Sequence, residues 1–124
     1  MKNNQDNLPL TETTYYILLS LAPQAKHGYA IMKDVRRSSQ ERVVLSTGTL
    51  YGALKRLLEL EWILRSNEPE NNHSARIRKT YSLSETGRSV LYAEISRLEQ
   101  LLRAARHASV NPAYGWTEYY DRNA

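Results

Sequence analysis

A chain of 124 residues has room for one domain with a sizeable core and for one long helix beyond it. Lys and Arg number 17 against 13 Asp and Glu, a net charge of +4 with a pI near 9.4, which favours a polyanionic partner. Cysteine is absent, which excludes a disulfide framework, a thiolate nucleophile and cysteine-ligated zinc or iron–sulfur sites.

The first ten residues, MKNNQDNLPL, lack the apolar run of a signal peptide, and no later apolar stretch approaches a membrane span. A cytoplasmic protein with no membrane partner is expected, its residues 1–8 frayed. Thr11 is placed to cap a first helix, with Glu12 at the positive end of the helix dipole. Tyr15, Leu18, Leu19 and Ala22 then follow at i, i+3, i+4 and i+7, a helical stripe that Pro23 ends. The linker PQAKH leads into GYAIMKDVRRSS, where Tyr29, Met32 and Val35 recur every third residue on a short second helix. RVVLS, residues 42–46, is a β-branched run too short for a helix, and it predicts a brief strand.

Ser46 can cap a third helix, GTLYGALKRLLEL, on which Leu50, Leu54, Leu57 and Leu58 cluster while Gly48, Thr49, Gly52 and Arg56 point the other way. Glu61 would fall inside that apolar stripe, so the helix is expected to stop near Leu60 and give way to a strand, WILRS. A polar loop, NEPENNHSA, separates this strand from a second, RIRKTYSL, and the two make a hairpin of the kind called a wing. Ser82 with Glu85, or Ser84, then caps a long fourth helix. The expected fold is mainly α with a small β-hairpin wing (α+β): a winged helix-turn-helix at residues 9–83, a C-terminal dimerisation helix at 84–108 and an aromatic tail at 109–124.

Three blocks, HGYAI at 27–31, GTLYGALKRL at 48–57 and RKTYSLSETG at 78–87, resemble the PadR family of transcriptional regulators in order and spacing. The resemblance covers roughly residues 8–108. It implies a DNA-binding regulator, more often a repressor, that acts as a homodimer on a pseudo-palindromic operator in double-stranded DNA. Many members carry proline where this chain has Gly52 and glycine where it has Glu61.

In a winged helix-turn-helix the exposed face of the third helix enters the major groove. Ser46, Thr47 and Thr49 then offer hydroxyls to phosphates or base edges, and Lys55 and Arg56 reach phosphate or guanine. Tyr51 lies at the edge of the buried stripe, and it either packs or bonds to phosphate. In the wing, Arg76, Arg78 and Lys79 crowd one strand, where charge serves contact with DNA or protection of a sheet edge. The forked guanidinium suits both phosphate and guanine, and Arg outnumbers Lys 12 to 5.

Leu91, Ile95, Leu98, Leu102 and Ala105 alternate spacings of four and three, the period of a coiled-coil seam. A helix over 84–108 runs roughly 37 Å at about 1.5 Å per residue, longer than so small a domain covers, so part of the stripe needs a second chain. The tail holds 4 of the 11 aromatics, which either cover apolar surface at the dimer interface or stack on a planar ligand. Some family members sense flat aromatic effectors between subunits, and that resemblance points to Tyr15, Tyr16, Tyr92 and Trp116. His27, His73 and His107 lie in separate elements without metal spacing, so no metal and no cofactor is expected. No nucleophile elbow, Walker loop or His-Glu zinc helix is present, which argues against an enzyme. The alternative reading is a winged-helix module that binds another regulator or polymerase.

Overall fold

The starts of three of the four described helices are each fixed by one hydroxyl. In the computed structural model, which describes residues 7–69 and 77–108, α1 spans Glu12–Leu21, α2 Gly28–Ser38, α3 Thr47–Glu59 and α4 Glu85–His107. Thr11 Oγ1 accepts from Thr14 N–H at 3.1 Å, Ser46 Oγ from Thr49 N–H at 3.1 Å, and Ser84 Oγ from Gly87 N–H at 3.0 Å. Each satisfies a donor that the first helical turn leaves without a partner.

Three antiparallel strands complete the described residues: β1 (Lys26–His27), β2 (Ile63–Pro69) and β3 (Ile77–Leu83), in the order β1-β3-β2. The wing hairpin pairs Ile63 with Leu83 at its base and Pro69 with Ile77 at its described end. The expected strand at residues 42–46 is absent; the third strand is β1, whose Lys26 and His27 pair with Tyr81 and Thr80. Buried Ser39 explains the difference. Its hydroxyl accepts from Val43 N–H at 3.0 Å and lies 3.3 Å from the Val43 carbonyl, so the backbone groups a strand would use are engaged locally.

The core joins every layer: Ile17, Leu18 and Leu21 of α1, Ile31 and Val35 of α2, Leu50, Leu54 and Leu57 of α3, Val90 and Leu91 of α4, with Ile63 and Tyr81 from the sheet and Trp62 from the turn before β2. Each fully buried aliphatic side chain contributes about 1.5–3 kcal/mol of transfer free energy. On α2 the buried face is Ile31 and Val35, while Tyr29 is 68% exposed, outside the stripe its spacing suggested. Leu91 corrects a second expectation. It is wholly buried within its own chain, so it cannot belong to a seam with another copy.

The end of α3 is a Schellman turn. Trp62 N–H donates to the Leu57 carbonyl and Glu61 N–H to that of Leu58, both at 3.0 Å, with Glu61 at φ 61° in the left-handed region. A side chain at such a position costs roughly 1–2 kcal/mol, against which glycine's extra chain entropy must be set. Glu61→Gly is therefore expected to stabilise the fold by about 1 kcal/mol. A thermal melt checks this, and an unchanged or lowered midpoint would show that the Glu61 side chain makes good the strain.

Candidate nucleic-acid interface

Burial of Leu50, Leu54 and Leu57 turns the other side of α3 to solvent, and that side is nearly bare. Thr47, Gly48, Thr49, Gly52, Lys55 and Arg56 are all exposed, and a Cβ placed on Gly48 or Gly52 would meet nothing within 4 Å. Ser46 Oγ donates to Thr49 Oγ1 at 2.9 Å while accepting Thr49 N–H, so Thr49 keeps its own hydroxyl proton for an outside acceptor. Lys55 projects from this face. Arg56 is drawn back toward α1, its Nη2 donating to Thr14 Oγ1 at 3.4 Å.

Tyr51 packs and is reachable at once. It is 45% exposed, yet its hydroxyl sits 2.6 Å from where a Cβ on Gly28 would lie, so the bare start of α2 is what seats the phenol. Nearby, burial and the Tyr51 phenol raise the pKa of Tyr81, and Arg65 partly opposes the shift. His27 ties the start of α2 to β3: its Nδ1 lies 3.2 Å from the Lys79 carbonyl and 3.4 Å from Thr80 Oγ1. These contacts bring Arg78 and Lys79, both exposed, beside α3 across an open groove of about 390 Å³ lined by His27, Gly28, Tyr29, Tyr51, Arg78 and Lys79. Arg76 and His73 lie outside the described residues. Sequence reasoning missed the part played by Tyr29; the available signal was a tyrosine beside Gly28 on a helix already anchored by Ile31 and Val35.

Along α4 the surroundings change from core to solvent. Glu94 is buried and accepts from Arg97 Nε at 2.5 Å, Arg97 Nη2 at 3.2 Å and Leu10 N–H at 2.9 Å, fastening the segment before α1 to α4. Ile95 is half-buried against the core, Ala105 is partly covered, and Leu98, Leu101 and Leu102 are exposed. Tyr15 and Tyr16 meet edge to face with centroids 5.6 Å apart, and Tyr92 stands exposed on α4; Trp116 lies outside the described residues. Among the described residues no cluster of His, Asp and Glu could hold a metal ion, and no helix is long and apolar enough to cross a membrane.

The hydrogen bond from Arg97 holds the Glu94 carboxyl below the usual carboxylate range, helped by Leu10 N–H and opposed by burial. A carboxyl whose folded pKa lies below its unfolded one stabilises the fold above the unfolded value and loses that contribution as pH falls through the folded one. Glu94→Gln is therefore expected to cost about 1–2 kcal/mol at pH 7. Melts of both proteins between pH 7 and 3 should show the gap closing once pH drops below the ordinary value of 4.5. A gap independent of pH would show that the charge of Glu94 is not what fastens the segment.

Residues 17–101 match the family described as "Transcriptional regulator PadR-like family". The fold superposes on a PadR family transcription regulator from hypervirulent Clostridium difficile with a TM-score of 0.64 and 23% identity, over 78% of this chain and 97% of that one. A Streptococcus transcriptional regulator gives 0.63 at 20% identity, over 77% and 90% of the two chains. Bacillus subtilis PadR, solved in complex with operator DNA, gives 0.59 at 21% identity, over 66% of this chain and 46% of that one. At such identities the likeness is one of fold. No curated protein matches the chain.

Proposed function

Because the chain belongs to the PadR-like family of transcriptional regulators, whose match spans most of it, we propose that it represses transcription by binding double-stranded DNA as a homodimer. The observation that carries this reading is the bare face of α3, flanked by Lys55 and, across the groove, by Arg78 and Lys79. Short side chains let a helix sit deep in the major groove, and the flanking cations meet phosphates on either side. In this reading Thr47 and Thr49 meet base edges, Ser46 holds the helix start, Arg56 is a weaker contact than Lys55, and Arg76, outside the described residues, is a further phosphate contact. The complex of Bacillus subtilis PadR with operator DNA supports the same partner for this fold.

Fluorescence anisotropy tests it, with labelled DNA from upstream of the protein's own gene titrated beside a scrambled duplex. Specific regulation predicts a scramble at least ~10³-fold weaker. Weak binding to both with a flat salt dependence would instead support a protein partner.

The homodimer is supported by the distal half of α4, where Leu98, Leu102 and Ala105 carry a seven-residue repeat on from Ile95 at the margin of the core. A twofold pair would hold two copies of α3 about one DNA turn, roughly 34 Å, apart and select a pseudo-palindrome. A monomer mass at micromolar concentration in sedimentation equilibrium would remove the dimer from the proposal. Release by a flat aromatic effector against Tyr15, Tyr16, Tyr92 and Trp116 requires different affinities for two dimer states. Operator binding that is identical with and without saturating effector would sink that step.

A further inference from the structure

Residues 10–14, which lead into α1 and form its first turn, are bonded to three other parts of the chain. Leu10 N–H donates to Glu94 Oε2 at 2.9 Å, which fastens this turn to α4. Glu12 Oε1 accepts from Arg42 Nη2 at 2.5 Å, which ties it to the loop that leads into α3. Thr14 reaches α3 itself, where its Oγ1 accepts from Arg56 Nη2 at 3.4 Å. The two cations of α3 are thus disposed differently. Lys55 projects from the exposed face, while its neighbour Arg56, in the last turn of the helix, is turned back onto α1.

The oxygen that holds Arg56 is itself held in place. Thr11 Oγ1 caps α1 by accepting Thr14 N–H at 3.1 Å, and it donates its own proton to Thr14 Oγ1 at 3.0 Å. A hydroxyl oxygen has two lone pairs, of which Thr11 takes one and Arg56 the other. Thr14 is only 5% exposed, so withdrawing the guanidinium breaks a hydrogen bond at a site largely shut off from water. The contact engages one nitrogen of the guanidinium and cancels none of its charge.

We infer that Thr14 is a positioning residue for DNA binding: it keeps the Arg56 guanidinium on α1 and so holds it back from the phosphates that flank α3. This rests on the DNA-binding reading above, and it gives the reason why Arg56 is the weaker of the two cationic contacts of α3. Loss of the Thr14 acceptor frees one more cation for the DNA backbone. A phosphate contact carries no sequence information, so the gain is the same on every duplex and steepens the salt dependence. A hydroxyl that served stability alone would change neither.

The test uses the full chain and a random-sequence duplex, with affinity measured by anisotropy across a salt series. Thr14→Val keeps the branched shape and removes the acceptor. It is expected to raise affinity roughly threefold to tenfold and to make the log–log salt slope steeper by about 0.9, while Thr14→Ser, which retains the oxygen, stays near wild type. Adding Arg56→Gln to Thr14→Val is expected to abolish the gain. A slope for Thr14→Val no steeper than wild type, or a gain that survives Arg56→Gln, overturns the role of Thr14 while leaving DNA binding by α3 intact. Should Thr14→Val lose its cooperative melt, Arg56→Gln alone decides: a slope within about 0.3 of wild type supports the restraint, and one shallower by about 0.9 shows an arginine already on a phosphate and overturns it. Failure of the wild-type protein to bind any duplex overturns the DNA-binding reading, and the role of Thr14 with it.

Discussion

Replacing Lys55, Arg78 and Lys79 together by alanine is expected to leave the fold intact and to weaken binding to double-stranded DNA roughly 10²-fold at physiological salt. All three side chains are exposed. The main-chain carbonyl of Lys79 that faces His27 survives the substitution. Each phosphate contact contributes about 0.9 to the salt slope, so losing three makes it shallower by nearly three. The loss should be almost equal on operator and scrambled duplex, because phosphates do not encode sequence. Thr49→Ala makes the contrast: removing its hydroxyl proton donor should narrow the preference for operator and leave the salt slope alone. A triple variant with wild-type affinity and slope would show that these cations are solvated charge and that the interface lies elsewhere.

What could be read in the residues was what local chemistry decides. Thr11, Ser46 and Ser84 each cap a helix through a hydroxyl three residues from the amide it satisfies, and that spacing is visible in the string. The stop at Leu60 was legible because Glu61 interrupts an apolar stripe, and the structure converts it into a left-handed turn. Residues 42–46 misled because β-branched composition reports propensity, whereas the hydrogen bonds of Val43 had already gone to Ser39. Strand β1 was hidden because two residues display no period; β3 selects them through pairing with Thr80 and Tyr81. Periodicity placed Leu91 and Leu98 on one stripe, but a stripe does not say whether the covering surface belongs to the same chain. Leu91 meets its own core, and Leu98 stands clear of it. The role of Glu94 was equally invisible, since its amide partner, Leu10, lies 84 residues away.

Gly87→Ala is expected to be the most damaging single methyl in the protein, lowering stability by roughly 3–5 kcal/mol. Gly87 sits in the first turn of α4, where a Cβ would fall 1.9 Å from the Trp62 carbonyl oxygen and 2.8 Å from its carbon. Both obstacles are backbone, so no side-chain rotation relieves them. The same junction carries three further restraints: Ser84 N–H donates to the Trp62 carbonyl at 3.0 Å, Ser84 Oγ donates to that of Glu61 at 2.6 Å, and Gly87 N–H is held by Ser84 Oγ at 3.0 Å. Moving α4 away to admit the methyl would break these bonds and uncover Trp62, Val90 and Leu91 together. The turn after α3 is thereby locked to the start of α4, and this junction sets the angle between those two helices. A melt of Gly87→Ala should show a drop on the order of 15 °C or no cooperative transition. Gly52→Ala, in open space on α3, should melt at or above the wild-type midpoint, because alanine is the better helix former by about 1 kcal/mol. Were Gly87→Ala to melt within a degree or two of wild type, the close contact between Gly87 and Trp62 would be wrong, and with it the coupling of the α3 turn to α4.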